Sequence, residues 1–153
     1  MIVYVTGCCG GIGREIVRKY IAKRYTVIGI DIDNKKLDDS CLELGHHFYP
    51  CLIDLSKKKE TKEGLKKVIN QYGVPDIFIH CAGIVSLEPF DQETEKKFYQ
   101  VMEINFLSFK RIIDAIIPTM KEKGGVIVPV SSVAGHVSAP LLASYSASKA
   151  ALI

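Results

Sequence analysis

The chain has 153 residues, of which 48% are hydrophobic and 24% charged, and a formal net charge of +3. That is the make-up of one globular domain with a sizeable core, and the charge is too small to argue for a nucleic-acid partner. No apolar run approaches the roughly 18 residues needed to span a bilayer, and "MIVYVTG" enters a strand-like run without a basic leader or cleavage site, so neither a membrane span nor a targeting segment is expected.

Taken in chain order, "IVYVT" (Ile2 to Thr6) is a β-branched run ending in glycines, a first strand. Ile12, Ile16, Val17, Tyr20 and Ile21 then recur at helical spacing, with Arg14, Glu15, Arg18 and Lys19 between them. "TVIGID" (Thr26 to Asp31) is a second strand and "HHFYPCLID" (His46 to Asp54) a third, where Pro50 suits an edge position. A charged amphipathic helix follows from about Ser56 to Tyr72. Its Lys57-Lys58-Lys59 run is interleaved with Glu60 and Glu63 and reads as a solvated face. "DIFIHCAG" (Asp76 to Gly83) is a fourth strand. Asp91 to Lys123 is helical in two segments, and "GVIVPVSS" (Gly125 to Ser132) is a fifth strand. Strands apolar throughout, separated by helix-length segments, mean a parallel sheet covered on both faces. Right-handed crossovers with a reversal after the third strand give the order 3-2-1-4-5, a doubly wound α/β fold over residues 1–153.

Chemistry concentrates at the ends of these strands. In "TGCCGGIG", Gly7, Gly11 and Gly13 sit where a turn must be tight and backbone must approach a pyrophosphate, with a helix N-terminus aimed at that anion. Asp31 ends the second strand, 18 residues after Gly13, where an acid accepts both hydroxyls of an adenosine ribose and repels a 2′-phosphate. No Arg follows it, so NAD(H) is expected over NADP(H). The competing reading is that Asp31 only caps a turn with Asp33 and Asn34. Tyr145 and Lys149 lie four apart on one helical face, where an ammonium favours the phenolate form of the tyrosine. Ser132, at the carboxyl end of the fifth strand, precedes Tyr145 by 13 residues and brings a hydroxyl to the ligand-binding edge of the sheet.

The five cysteines, Cys8, Cys9, Cys41, Cys51 and Cys81, form no CxxC and no second pair at zinc-finger spacing. They read as small buried free thiols in a reducing, cytoplasmic setting. His46, His47 and His80 have no partners at metal spacing and read as strand or surface residues. His136 stands near the expected mouth of the site.

These motifs together resemble the short-chain dehydrogenase/reductase family across the whole chain. The matching residues are "TGxxxGxG" at Thr6 to Gly13, the acid Asp31, Asp54 in "IDLS", the "NAG"-type turn at Cys81-Ala82-Gly83, Asn105 in "INFLSF", Ser132 in "SSVAG", and Tyr145 and Lys149 in "YSASK". The resemblance implies a Rossmann fold with cofactor contacts from Thr6, Gly7, Gly11, Ile12, Gly13, Asp31, Asp54, Leu55, Cys81, Ala82, Gly83, Tyr145 and Lys149. It also implies hydride transfer between NAD(H) and a secondary alcohol or ketone. Tyr145 is then the acid/base, Ser132 orients the substrate oxygen, Lys149 binds the nicotinamide ribose, and Asn105 holds a water leading from Lys149 to solvent. Val133, Pro140, Leu141 and Leu142 are expected to line an apolar substrate wall. Family members assemble as dimers or tetramers, so a homo-oligomer is expected.

Two positions depart from the pattern: Cys81 replaces the usual Asn, and Pro129 stands in the fifth strand. A looser glycine spacing, Gly7, Gly10 and Gly13, matches the extended epimerase-like branch. A non-catalytic dinucleotide-binding module and an epimerase or dehydratase are the alternatives. Only five strands are counted where such folds have six or more, so the C-terminal strands are expected to be missing and the chain to be part of a longer enzyme.

Overall fold

In the computed structural model, which describes residues 1–153, the run Ile2–Thr6 is β1 and passes through the glycine turn into helix α1, Gly11–Ala22. Next come β2 (Thr26–Asp31), α2 (Asn34–Leu44), β3 (Phe48–Leu52) and α3 (Lys58–Tyr72). Then follow β4 (Ile77–His80), α4 (Glu95–Met102), α5 (Ser108–Lys123), β5 (Val126–Pro129) and α6 (Ala143–Ala150). The five strands form one parallel sheet in the order β3-β2-β1-β4-β5, as expected of a doubly wound fold. No helix is long and apolar enough to cross a membrane.

Alternation along β1 divides the core in two, because successive strand side chains point to opposite faces. Tyr4 joins Ile28, Phe78, Leu65, Ile112 and Ile116 on the face covered by α3 and α5. Val3 and Val5 join Val27, Ile79, Val17 and Leu37 under α1 and α2. At about 25 cal/mol per Å2 of apolar area, these two layers supply the main force that holds the strand ends in register. Thr6, Ile30 and His80 consequently lie side by side at the carboxyl edge. Both strand prolines occupy edge strands, Pro50 in β3 and Pro129 in β5, where a missing ladder N–H is tolerated.

Three elements differ from the sequence expectations. Helix α2 was not among them, because its charges leave only Leu37 and Ser40 fully buried; the Asp33 side chain starts it by accepting the Lys36 N–H at 3.1 Å. His46 and His47 belong to a 3-10 turn before β3, since β3 pairs with β2 only from Phe48 onward. The two helical segments after Asp91 are joined without a loop: α4 continues through a π-helical stretch, Glu103–Leu107, directly into α5. Such i→i+5 stretches occur mostly as single-turn bulges at functional sites, and here Asn105 is fully buried.

Candidate active site

The first turn separates its glycines by task. Gly7 has φ +63°, and a Cβ there would lie 2.8 Å from the Ala82 backbone. A Cβ on Gly13 would lie 2.2 Å from the Gly7 carbonyl oxygen. Those two glycines let the β1 turn, the β4 turn and α1 touch. A Cβ on Gly11 would meet nothing within 4 Å, so its bareness serves no contact inside the chain. It leaves the N–H groups at the α1 N-terminus open to an anion. Ile12 points outward at 61% exposure.

Thr6 is fully buried and its hydroxyl is occupied. The Ala82 N–H donates to Thr6 Oγ1 at 3.3 Å, and the hydroxyl pairs with His80 Nδ1 at 2.8 Å. His80 Nε2 is 3.2 Å from the Asn105 carbonyl, which only accepts, so Nε2 carries the proton and Nδ1 receives the Thr6 O–H. Burial pushes the imidazole down to about 4, with the Asn105 carbonyl opposing and the Lys149 ammonium adding to the effect. His80 is thus a buried strand residue with specific partners on β1 and on the π-helical stretch, more than the solitary histidine the sequence suggested.

A cleft of about 410 Å3 opens beyond the carboxyl ends of β1, β2 and β4, where the strand order reverses. This is where open α/β sheets bind ligands. Among the residues expected to hold a cofactor, Gly7, Asp31, Asp54, Leu55, Cys81, Ala82 and Gly83 line it. Cys9, Gly10, Asp33, Lys36 and Ile84 line it as well, although only glycine spacing and the Asp31 neighbourhood hinted at them.

Asp31 does cap its turn: Oδ1 accepts Ile32 N–H at 2.8 Å and Asp33 N–H at 3.2 Å, and Oδ2 accepts Cys9 N–H at 2.9 Å. A carboxylate has about four acceptor positions, so the cap leaves room for a further donor on the cleft side. The nearby Lys36 ammonium pairs with Asp33 Oδ2 at 3.1 Å. Burial works to raise the Asp54 carboxyl; hydrogen bonds from the Ser56 hydroxyl and N–H, with Lys57, outweigh it and leave it below the usual range.

The remaining candidates gather around α6. Lys149 is buried, donates to the Val130 carbonyl at 2.8 Å, and lies 5.7 Å from the Tyr145 ring centroid. Burial holds its ammonium below the ordinary lysine range, against the opposing Cys81. Burial also pushes the Cys81 thiol up to about 11, with Lys149 pulling it down. A Cβ on Gly83 would stand 3.3 Å from Asn105 Oδ1 and 3.5 Å from Lys149 Nζ, so Gly83 keeps that corner clear.

Ser132 follows β5 and accepts the Ala134 N–H at 3.2 Å, which leaves its own O–H free to donate. Its neighbour Ser131 donates to the Lys149 carbonyl at 2.7 Å, and a Cβ on Gly135 would be 2.8 Å from the Lys149 carbonyl carbon. The serine loop therefore lies backbone to backbone on α6, which ties Ser132 to the Tyr145–Lys149 helix.

Asn105 is engaged throughout. Its Oδ1 accepts Ile84 N–H at 2.8 Å, and its Nδ2 donates to the Ile84 carbonyl and to Ser148 Oγ, both at 2.9 Å. Ser131, Gly135 and Ser148 were given no role by the sequence reading, although all three lie inside the quoted motifs "SSVAG" and "YSASK". His136 is exposed, as are Val133, Pro140 and Leu141 of the expected substrate wall, whereas its fourth member, Leu142, is half-buried.

Of the five free cysteines only Cys8 is fully buried; the other four are half-buried, which corrects the expectation of uniformly buried thiols.

A doubly wound sheet with a glycine turn, an acid ending β2 and a Ser, Tyr and Lys on and beside α6 is the arrangement of a Rossmann-type α/β fold. The short chain dehydrogenase family model matches residues 1–153, and the chain belongs to that family. It is 34% identical to the Dehydrogenase RED2 of Cochliobolus heterostrophus, over 99% of this chain and 57% of that protein. With human Estradiol 17-beta-dehydrogenase 11 it shares 30% identity, over 99% and 52% of the two chains. A Streptomyces avermitilis short-chain dehydrogenase superposes with TM-score 0.93 at 29% identity, covering 99% and 56%. A 4-hydroxyisoleucine dehydrogenase complexed with NADH does so with TM-score 0.91 at 28%, covering 99% and 63%. The chain spans about half the length of the curated relatives it matches.

Proposed function

We propose that the protein carrying this chain transfers a hydride between NAD(H) and a secondary alcohol or the matching ketone. The observation that carries the proposal is the buried Lys149, set beside Tyr145 and tied through Ser131 to the loop bearing Ser132. The residues fit a dinucleotide: open backbone at Gly11 begins the α1 N-terminus, and the cleft-lining Asp31 keeps an acceptor position. When bound, the nicotinamide gives or takes the hydride. The NADH in the 4-hydroxyisoleucine dehydrogenase complex supports a nicotinamide cofactor.

Tyr145 passes a proton to or from the substrate oxygen, and Ser132, with its O–H uncommitted, donates to that same oxygen and orients it. Lys149 places a positive charge beside the phenol, 5.7 Å from its ring centroid. Asn105 fixes the backbone of Ile84 and the α6 residue Ser148, holding the Gly83 corner open near Lys149. NAD(H) is preferred because the Asp31 carboxylate repels a 2′-phosphate and the cleft-lining ammonium of Lys36 is engaged by Asp33.

Steady-state assays on the natural protein test this. Tyr145→Phe lowers kcat by about 10²–10⁴ with NADH binding retained, and Asp31→Ala weakens NADH far more than NADPH. Undiminished turnover in the first variant, or equal loss of both cofactors in the second, contradicts the proposal.

A further inference from the structure

The first turn and the end of β2 draw Cys8, Cys9 and Asp31 into one cluster. Cys8 is buried over Gly29, where a Cβ would stand 2.8 Å from its sulfur. Cys9 Sγ lies 3.9 Å from Cys8 Sγ, and the Cys9 N–H holds Asp31 Oδ2 at 2.9 Å. One ligand atom from each of the three side chains lies within 4.8 Å of the other two. We propose that this cluster is a binding site for a thiophilic divalent cation, Zn2+ or Cd2+, at the adenosine side of the cleft.

The distances disfavour a disulfide and suit a cation that replaces the thiol–thiol hydrogen bond between Cys8 and Cys9. Neighbouring Cα atoms are about 3.8 Å apart across a trans peptide, short of the roughly 4.4–6.8 Å that disulfides span. A tetrahedral ion holding two sulfurs at about 2.3 Å spreads them to about 3.8 Å, close to the separation found here. The Asp31 carboxylate supplies a third, oxygen ligand, and the fourth position is left to water. Thiolates prefer such soft ions to Mg2+ or Ca2+. Binding releases the two thiol protons to solvent, forms two metal–sulfur bonds and one metal–oxygen bond, and oxidises nothing. Asp31 is also the acid assigned above to the adenosine ribose, so cation and dinucleotide compete. That competition rests on the proposed function, whereas the cation site does not.

Cadmium titration of the reduced natural protein, followed by the ultraviolet thiolate-to-cadmium band, tests the site. One saturable equivalent is expected. Cys9→Ser, at the half-buried and better tolerated position, and Asp31→Asn should each weaken it about tenfold or more, while Cys41→Ser should not. Absence of a saturable band, or a band insensitive to Cys9→Ser, overturns the site. Saturating NADH, its binding followed by its own fluorescence, should raise the cadmium midpoint. An unmoved midpoint with NADH bound overturns the competition alone, and cadmium uptake without any NADH binding overturns the dinucleotide reading alone.

Discussion

Gly11 and Gly13 stand two residues apart and face opposite demands. A methyl on Gly13 would have to displace the Gly7 carbonyl that it meets at 2.2 Å, whereas a methyl on Gly11 enters open space. Gly13→Ala is therefore expected to lower the melting temperature by several degrees or prevent folding. Gly11→Ala should keep or slightly raise the melting temperature, since Ala is the better helix residue by up to about 1 kcal/mol, yet weaken NADH binding. Thermal melts paired with NADH titration separate the two. His80 adds a pH signature. Its folded value of about 4 lies below its ordinary 6.5, so between those values the unfolded chain binds the extra proton and stability rises with pH. About 3 kcal/mol, present above pH 6.5, is lost as the pH falls toward 4. Urea midpoints at several pH values should show this slope in the natural sequence and a shallower one in His80→Asn.

At the scale of elements, the π-helical stretch between α4 and α5 decides where Asn105 goes. Bulged, the segment lets one side chain bind both backbone groups of Ile84 and reach Ser148 on α6, while its own carbonyl receives His80. Asn105→Ala leaves both backbone groups of Ile84 without a protein partner, while Ser148 Oγ keeps the Tyr145 carbonyl, and is expected to cost about 1–3 kcal/mol, read as a lower urea midpoint. A fall in activity without any change in that midpoint would contradict a positioning role for Asn105. The same scale explains the missed α2: a helix with two fully buried residues has too weak an apolar period to stand out from its charges. Its place is secured by the Asp33 cap and by Leu37 under β1 and β2.

Across the whole molecule, β5 pairs only with β4 and leaves Val126 at 53% and Val128 at 41% exposure. An apolar open edge is a template for pairing with another strand, and Pro129 interrupts it at only one position. The 153-residue chain on its own is expected to self-associate with rising concentration, and Val128→Lys to reduce that association. Sedimentation velocity at several concentrations checks both, and a monomer at every concentration would rule the edge out as a pairing surface. The homo-oligomer expected of the natural protein is a separate proposal.

The strands and the glycine turn were legible in the sequence from local patterns, apolar runs, helical spacing and motif intervals, and the strand order followed from the handedness of the crossovers between them. Tyr145 and Lys149 were legible for the same reason, since four residues on a helix share a face. The tertiary structure alone decided which glycines serve packing and which leave backbone bare. It also decided that Thr6 and His80 connect β1 to Asn105, and that Cys8, Cys9 and Asp31 meet. Apart from the Gly13–Gly7 and Cys8–Cys9 contacts, those outcomes depend on residues 22 to 76 positions apart, and such contacts exist only after two apolar layers have set the strand ends side by side.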